Sequence, residues 1–222
     1  MVIYNHDSIL GFKSTMSAEN MVVLDFETSG MSPDYGDRAI EIGAVRLVDG
    51  KIVDEFQSLM NPGFKVSSFI QDFTGIDNGM LEKAASCGEV MTEFHSFLGN
   101  SHLIAHNSSF DKRFLDSEFS LINKHYSGEF TCSMLLARRI YQDAPNHKLA
   151  SLVDYRNIQH SGVFHRALDD AQMTAKLWLA MLEDIGEWHQ CWDMPFSLIK
   201  KLSKTPKKNV SRLLQEYRSS SL

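Results

Sequence analysis

The stretch Val22-Val23-Leu24-Asp25-Phe26-Glu27-Thr28-Ser29-Gly30 decides how the rest of this sequence is interpreted. Its apolar start is typical of a buried strand. Because side chains alternate between the two faces of a strand, Asp25 and Glu27 project to the same side. Two carboxylates held together at the end of a buried strand repel each other unless a cation compensates them, and Mg²⁺ and Mn²⁺ prefer such oxygen ligands. For this stretch alone, two hydrated acids at an exposed strand end remain an alternative.

The bulk composition indicates a single main domain. The chain has 222 residues, of which 43% are hydrophobic and 23% are charged, enough for one domain with a substantial core plus an appendage, or at most two small domains. The isolated cysteines Cys87, Cys132 and Cys191 have neither zinc-cage nor disulfide spacing, which favours a reducing, cytoplasmic location. No apolar run approaches the roughly 20 residues of a membrane span, so we expect no membrane partner.

Charge is unevenly distributed along the chain. The net charge of −6 argues against a general nucleic-acid coat protein. Residues 195–222 carry seven Lys or Arg against one acid, whereas the preceding residues carry fifteen against twenty-seven. The C-terminal lysines are either the solvent-exposed face of helices packed on the body or a nucleic-acid-binding arm, and the sequence leaves both interpretations open.

Hydrophobic periodicity predicts a mixed sheet with helices on both faces. After the first strand, we expect strands at 38–48 and 51–60, joined by an Asp49-Gly50 hairpin turn, and a short strand at 101–105. Helices are predicted at 67–73, 89–98, 110–115, 133–141, 148–155 and 167–182. Two short helices follow, the second starting with Thr205 as N-cap and Pro206 as its first residue. The predicted division is a leader at 1–20, a main domain at 21–183 and a basic helical extension at 184–222.

Two later stretches can supply partners for Asp25 and Glu27. Asp111 follows a short strand in the first turn of a helix, where an acid can also serve only as a partner of the helix dipole. In the helix that begins near residue 167, Asp170 lies at the border of the apolar stripe and Asp169 nearly opposite it. His165 is expected on the loop that leads into this helix.

Four carboxylates and one histidine suit phosphodiester hydrolysis. Two divalent cations can stabilise both the attacking and the leaving oxygen of an in-line displacement. A histidine with a pKa of about 6.5 can accept a proton from the attacking water at neutral pH.

Three motifs in order resemble those of the DEDDh exonucleases, the family of the proofreading epsilon subunit of bacterial replicative polymerases. Residues 25–30 (DFETSG) are similar to the first motif, DxET-small-G. Residues 106–111 (HNSSFD) match the second motif, HNxxFD, and residues 165–171 (HRALDDA) match the third, HxAxxDA. The resemblance spans residues 21–182, with every charged motif position filled.

The resemblance implies a ribonuclease H-like α/β fold, with a five-stranded mixed sheet flanked by helices, and 3′→5′ hydrolysis that releases nucleoside 5′-monophosphates. It also implies a catalytic set in which four acids bind two Mg²⁺ or Mn²⁺ ions and His165 is the general base; the acids are Asp25, Glu27, Asp111 and Asp170. Substrate-binding positions carried over are the Thr28 backbone, Ile76 as a wedge against the last base, and His106 and Asn107. Phe73-Thr74 departs from the family pattern, because many relatives carry histidine before Gly-Ile.

The leading hypothesis is a DNA exonuclease that prefers single strands and acts at 3′ ends, free-standing or beside a DNA polymerase. The first alternative is an RNA-trimming exonuclease of the same superfamily, similar to RNase T or oligoribonuclease. A catalytically silent nucleic-acid-binding module is disfavoured because all five catalytic positions are intact. A metal-binding domain without a nucleic-acid substrate is also disfavoured, because metal binding alone does not require His165 and the flanking motifs.

Overall fold

Strand β1 (Met21–Thr28) is the middle strand of a five-stranded sheet with the order β3-β2-β1-β4-β5. The computed structural model describes residues 17–159 and 166–220. Its other strands are β2 (Ala39–Val48), β3 (Lys51–Leu59), β4 (Leu103–Ala105) and β5 (Phe130–Cys132). The first three strands form an antiparallel meander, and β4 and β5 add to β1 in parallel. The predicted mixed sheet is confirmed, although the hydrophobic pattern did not identify the three-residue strand β5.

Helices connect and cover the strands. They are α1 (Ser68–Thr74), α2 (Asn78–Lys83), α3 (Cys87–Leu98), α4 (Ser109–Leu121), α5 (Ser133–Ile140), α6 (Leu149–Tyr155), α7 (Ala167–His189), α8 (Phe196–Lys204) and α9 (Val210–Ser220). Helix α2 was not predicted, and α7 continues seven residues past the predicted end at 182. The prediction that Thr205 caps a helix begun by Pro206 is wrong. Thr205 ends α8, where its hydroxyl donates to the Lys201 carbonyl at 2.9 Å, and Pro206 precedes a 3₁₀ turn, Lys207–Asn209.

The two faces of β1 pack against different layers of helices. Val22, Leu24 and Phe26 lie in a buried cluster with apolar side chains of α3 and α4. Met21 and Val23 lie in the other cluster, with side chains of α5, α7 and α8. Because side chains alternate along a strand, the next odd-numbered residues of β1 face the α7 layer. This alternation places both acids of the strand on the side from which α7 approaches.

The start of α7 lies directly against β2 at Gly43. A Cβ atom at Gly43 would be 2.1 Å from the Ala167 carbonyl carbon and 2.1 Å from the Leu168 amide nitrogen. No side chain larger than hydrogen fits this gap without displacing the backbone. The contact therefore sets how closely the first turn of α7 approaches the sheet.

Residues on both sides of each predicted domain boundary pack into one hydrophobic core. The predicted boundary at 183 lies inside α7, and Leu182 and Ile185 belong to the same buried cluster as Phe196 and Leu202 of α8. At the other end, the Trp178 indole donates to the Ala18 carbonyl at 2.9 Å. Residues on both sides of the predicted boundaries therefore contribute to the same packing.

The three cysteines are free and buried. Across residues 17–159 and 166–220, the helices that are present lack the combination of length and apolar character needed to cross a bilayer.

We expect Gly43→Ala to destabilise the fold, because the added methyl group meets the backbone of α7. Overpacking of this kind costs about 1–3 kcal/mol, and more where the opposing atoms are backbone. The measurement is the free energy of unfolding from urea denaturation. Gly88→Ala in α3 is the matched control, since its Cβ meets only the Ile122 Cγ2 atom at 3.5 Å. Equal stability of the two variants would contradict the importance of this contact.

Candidate metal centre and active site

The carboxyl end of β1 carries the first two acids of the site. Glu27 is only 7% exposed, and in the register of the sheet it lies opposite Glu41 of β2. The pairing of β1 with β2 is irregular between Glu27 and Thr28. The apolar start of β1 holds its backbone in the core, so the two acids remain at the edge of that core rather than in open solvent.

Helix α7 brings Asp170 to the same place. Asp170 lies one turn into the helix, where its backbone N–H donates to the Arg166 carbonyl at 3.0 Å, and the residue is 9% exposed. Carboxylate oxygens of Asp25, Glu27 and Asp170 all lie within 4.8 Å of one another. Asp169 is partly exposed and does not belong to this group. The helical phase expected from the sequence therefore separates the two adjacent acids.

Asp111 reaches the site from α4. It lies in the first turn of the helix and is 2% exposed. Its Oδ1 atom accepts a hydrogen bond from the Phe26 N–H at 3.2 Å, between the two acids of β1. A second contact fixes α4 against the sheet, because the buried Glu118 accepts both a bidentate pair from Arg38 and the Ala39 N–H.

The carboxylates of β1 are held in an environment that disfavours their charge. Burial raises the pKa of Glu27 from 4.5 to about 8, and the charges of Asp170, Glu41 and Asp111 add to this effect. The Arg166 guanidinium opposes it only in part.

Asp25 and Asp111 show the same direction of shift. Burial raises the pKa of Asp25 well above 3.8, and the negative charges of Asp111, Asp170 and Glu27 reinforce the shift. Burial also raises the pKa of Asp111 to about 7, although hydrogen bonds from backbone N–H groups oppose it. The cluster is thus a set of acids that repel one another in a site with little access to solvent.

The donor set fits hard divalent cations. It consists of carboxylate oxygens, which are the ligands that Mg²⁺ and Mn²⁺ take in proteins. The charge of Arg166 lowers the pKa of Glu27, but its guanidinium is paired with Glu41 at 2.9 Å. Around Asp25 and Glu27, the described residues therefore offset the negative charge only in part.

Glu41 is a site residue that the sequence analysis did not single out. It is fully buried, and both of its oxygens accept hydrogen bonds: from Arg166 at 2.9 and 3.2 Å, from the Ala167 N–H at 3.2 Å and from Gln57 at 3.0 Å. It therefore holds the start of α7, and with it Asp170, against β2. An acid within residues 39–45, which are otherwise apolar or glycine, was the available signal.

Two of the expected substrate-binding residues, Thr28 and Ile76, lie in largely buried positions. Thr28 is 8% exposed, and its hydroxyl donates to the Gly30 carbonyl at 2.7 Å. Ile76 is fully buried with Ile40, so its side chain presents no surface for a base. Its role as a wedge stays a prediction that requires α1 and α2 to move.

The second motif is built around internal contacts. The two ring nitrogens of His106 lie 2.9 Å from the Ser133 hydroxyl and 2.9 Å from the His147 carbonyl. Burial lowers the pKa of His106 to about 4, and the positive charges of His147 and Arg138 add to the effect despite the hydrogen bond to the backbone. Asn107 is exposed in a left-handed conformation with φ of 66°, which asparagine tolerates. His165, the predicted base, lies outside the described residues.

Comparison with known proteins identifies the family to which most of this chain corresponds. A family model described as "Exonuclease" (RNase_T) matches residues 22–178. The PolC-type DNA polymerase III of Caldanaerobacter subterraneus is 38% identical over 168 residues, which is 75% of this chain and 12% of that protein. The Bacillus subtilis protein of the same name is 36% identical over 177 residues, 78% of this chain and 12% of its own length. The chain thus spans about an eighth of the curated relatives that it matches.

Solved structures share the fold. Exonuclease X in complex with 5′ overhanging duplex DNA has a TM-score of 0.60 at 24% identity, covering 87% of this chain and 98% of that one. The nuclease domain of 3′hExo, a DEDDh family member bound to rAMP, has a TM-score of 0.65 at 21% identity, covering 75% and 92%. The sheet and its flanking helices are those of the ribonuclease H-like exonucleases. With the family match extending over most of its length, the chain belongs to the RNase_T family of exonucleases.

Proposed function

We propose that this chain is a metal-dependent 3′→5′ exonuclease that releases nucleoside 5′-monophosphates from single-stranded DNA. The observation that carries the proposal is the convergence of Asp25, Glu27 and Asp170 within 4.8 Å, with Asp111 bonded to the strand between the first two. These four acids are the ones expected to hold two Mg²⁺ or Mn²⁺ ions. Both the family match and the three sequence motifs support an exonuclease assignment.

When bound, the two cations would supply the charge that stabilises the attacking and leaving oxygens in an in-line displacement at phosphorus. The protein positions the acids that would bind these cations and provides a group that accepts the proton of the attacking water. Glu41 orients α7 through Arg166 and the Ala167 N–H, which keeps Asp170 beside β1. His165, from the third motif, is the group assigned to accept the proton of the attacking water.

A preference for single strands is supported by exposed aromatic rings at the same end of the sheet. Phe69 and Phe73 of α1 are 70% and 51% exposed, and their rings stack at 6.0 Å with an interplanar angle of 11°. Helix α1 packs through Ile70 near Ile40, the neighbour of Glu41 on β2. Base stacking on such rings contributes about 1–3 kcal/mol per base and requires unpaired bases.

DNA is favoured over RNA as the substrate because the relatives at 36–38% identity are DNA polymerases. A DNA polymerase as partner, and a cytoplasmic location consistent with the free cysteines, are part of the same proposal. The RNA-trimming alternative is kept because one structural neighbour is bound to rAMP.

The experiment that tests the proposal is digestion of matched 5′-labelled single-stranded DNA and RNA with Mg²⁺, Mn²⁺ or EDTA. A ladder that shortens from the 3′ end of DNA, and is absent in EDTA, is the expected result. A ladder on RNA alone moves the protein to the trimming alternative, and cleavage that persists in EDTA contradicts the metal site.

We expect Asp170→Asn to abolish turnover while the protein stays folded, because the amide keeps the shape of the side chain and loses the metal-binding charge. Asp169→Asn is the matched control, since this neighbouring acid lies outside the cluster, and its activity should remain within about twofold of the parent. Initial rates on labelled DNA and circular dichroism measure the two properties. Similar activity in both variants would refute the assignment of Asp170.

His165→Ala should lower kcat by roughly 10²–10⁴ without weakening the effect of Mg²⁺ on thermal stability, because it removes a proton acceptor rather than a metal ligand. The pH dependence of kcat in the parent and in the variant measures this role. A full loss of Mg²⁺-dependent stabilisation in the variant would show that His165 acts on the metal site instead.

The metal-free protein should become less stable as pH rises from about 5 to about 8. The pKa of Glu27 is raised to about 8 in the fold, so folding favours the protonated acid and this stability is lost as the acid ionises. The difference is on the order of a few kcal/mol. Thermal melts at several pH values in EDTA should show a steeper decline for the parent than for Glu27→Gln, and excess Mg²⁺ should restore the parent most at pH about 8. Parallel curves for the two proteins would contradict the charge repulsion.

A further inference from the structure

The C-terminal segment carries a basic surface formed by Lys201, Lys204, Lys207 and Lys208, here called the C-terminal basic surface. All four residues are exposed. In α8, at about 100° per residue, Lys201 and Lys204 lie opposite the apolar stripe that is buried in the core. This stripe consists of Phe196, Leu198, Ile199 and Leu202. The segment is therefore anchored by one face, and its lysines project from the other.

The lysines of the C-terminal basic surface are neutralised only in part by the described residues: Glu129, whose pKa is lowered mainly by its hydrogen bond with Lys200, is the acid on which the charge of Lys204 also acts. Nearby cations are paired: Lys200 with Glu129 at 2.8 Å, and Arg212 with Glu216 at 3.6 Å. Among the ion pairs of residues 17–159 and 166–220, none involves the four lysines of the C-terminal basic surface. The surface is thus a local positive field on a chain whose residues before 195 carry twelve more acids than bases.

Helix α5 runs between the C-terminal basic surface and the catalytic end of the sheet. The Arg139 guanidinium donates to the Thr205 carbonyl at 2.9 Å, which ties the end of α5 to the end of α8. At its start, α5 presents Ser133, whose hydroxyl lies 2.9 Å from His106 of the second motif. Exposed Arg138 lies near enough to His106 for its positive charge to act on that ring.

We propose that the C-terminal basic surface, together with Arg138, binds the phosphate backbone of the nucleic-acid strand upstream of the 3′ end in the active site. The inference rests on the proposed exonuclease function and adds a substrate-binding surface to it. The surface lies beyond residue 178, where the family match ends, so it is a feature of this chain rather than of the matched family domain. A polyanion approaching the acidic body gains most where lysines are exposed and not paired.

The surface has to be tested by charge removal rather than by truncation. Deleting α8 would expose apolar side chains that belong to the main core, including the fully buried Ile199 and Leu202. Loss of binding after such a deletion would report unfolding. Glutamine replacements on the exposed face leave the buried stripe intact.

The test compares two triple variants of the full chain. One is Lys201→Gln, Lys204→Gln and Lys208→Gln; the control, with the same net charge, is Lys51→Gln, Lys83→Gln and Lys124→Gln. The control lysines are exposed in the β2–β3 hairpin, at the end of α2 and after α4. Each variant is assayed on a single strand of roughly 30 nucleotides and on one of roughly 4, with binding of the longer strand followed over a range of salt concentrations.

For the surface variant, we expect KM for the longer strand to rise about tenfold, while kcat and all constants for the short strand stay unchanged. The slope of log K against log salt should fall in magnitude by about 2, since each lost phosphate contact contributes about 0.7 for single strands. The control variant should match the parent in both respects. Equal effects of the two variants, no effect of the surface variant, or an equal loss on the short strand would each overturn the proposal.

This experiment tests the C-terminal basic surface and the proposed exonuclease function independently of each other. Absence of cleavage of the short strand by the parent protein contradicts the exonuclease proposal. The salt dependence of binding to the longer strand does not require turnover, so it still decides whether the lysines contact phosphate.

Discussion

The contact between the start of α7 and β2 is the interaction on which the rest of the site depends. Glu41 accepts hydrogen bonds from Arg166 and from the Ala167 N–H, and Gly43 leaves the space that the backbone of α7 occupies. Through this contact, residues more than a hundred positions apart in sequence are brought to one edge of the sheet. A buried carboxylate is costly unless its hydrogen bonds are satisfied, and here both oxygens of Glu41 have partners. The ion pair between the buried Glu41 and Arg166 therefore orients the helix that carries Asp170.

The acids gathered by this contact explain why the site suits cations. The charge of Glu41 is offset by Arg166, whereas Asp25 and Glu27 receive no comparable partner among the described residues. Raised pKa values at a buried cluster are typical of functional sites. Under the proposed function, the repulsion among these acids would become attraction to bound divalent cations. We therefore expect the acidic cluster to lower the stability of the metal-free protein.

The sequence predicted most of the sheet because its strands are long or strongly apolar. Its three motifs, which resemble those of a known family, singled out Asp25, Glu27 and Asp170, which the structure brings together. The sequence did not predict β5, since three residues carry no periodic signal. The predicted end of α7 at 182 was too early, and Asp184 lies in the part of the helix that was missed. In the structure it is buried and bonded to Tyr141 and Arg156, at 2.5 and 2.9 Å. Tertiary partners of this kind are invisible in a local pattern.

The same limit applies within the site. The role of Glu41 depends on a helix that begins 126 positions later in the chain, so no window of sequence contains both partners. Ile76 was expected to meet a base, but its burial depends on how α1 and α2 pack against Ile40. By contrast, the separation of Asp169 from Asp170 followed from helix geometry alone.

The central claim is that the four acids form a binding site for two divalent cations. Its most direct test is a crystal structure of the protein soaked with Mn²⁺ and a nucleoside 5′-monophosphate, with anomalous scattering used to locate the ions. The account predicts two anomalous peaks enclosed by Asp25, Glu27, Asp111 and Asp170, one or both also contacting the phosphate. A map with no peak in this cluster, at Mn²⁺ concentrations that support activity, would contradict it.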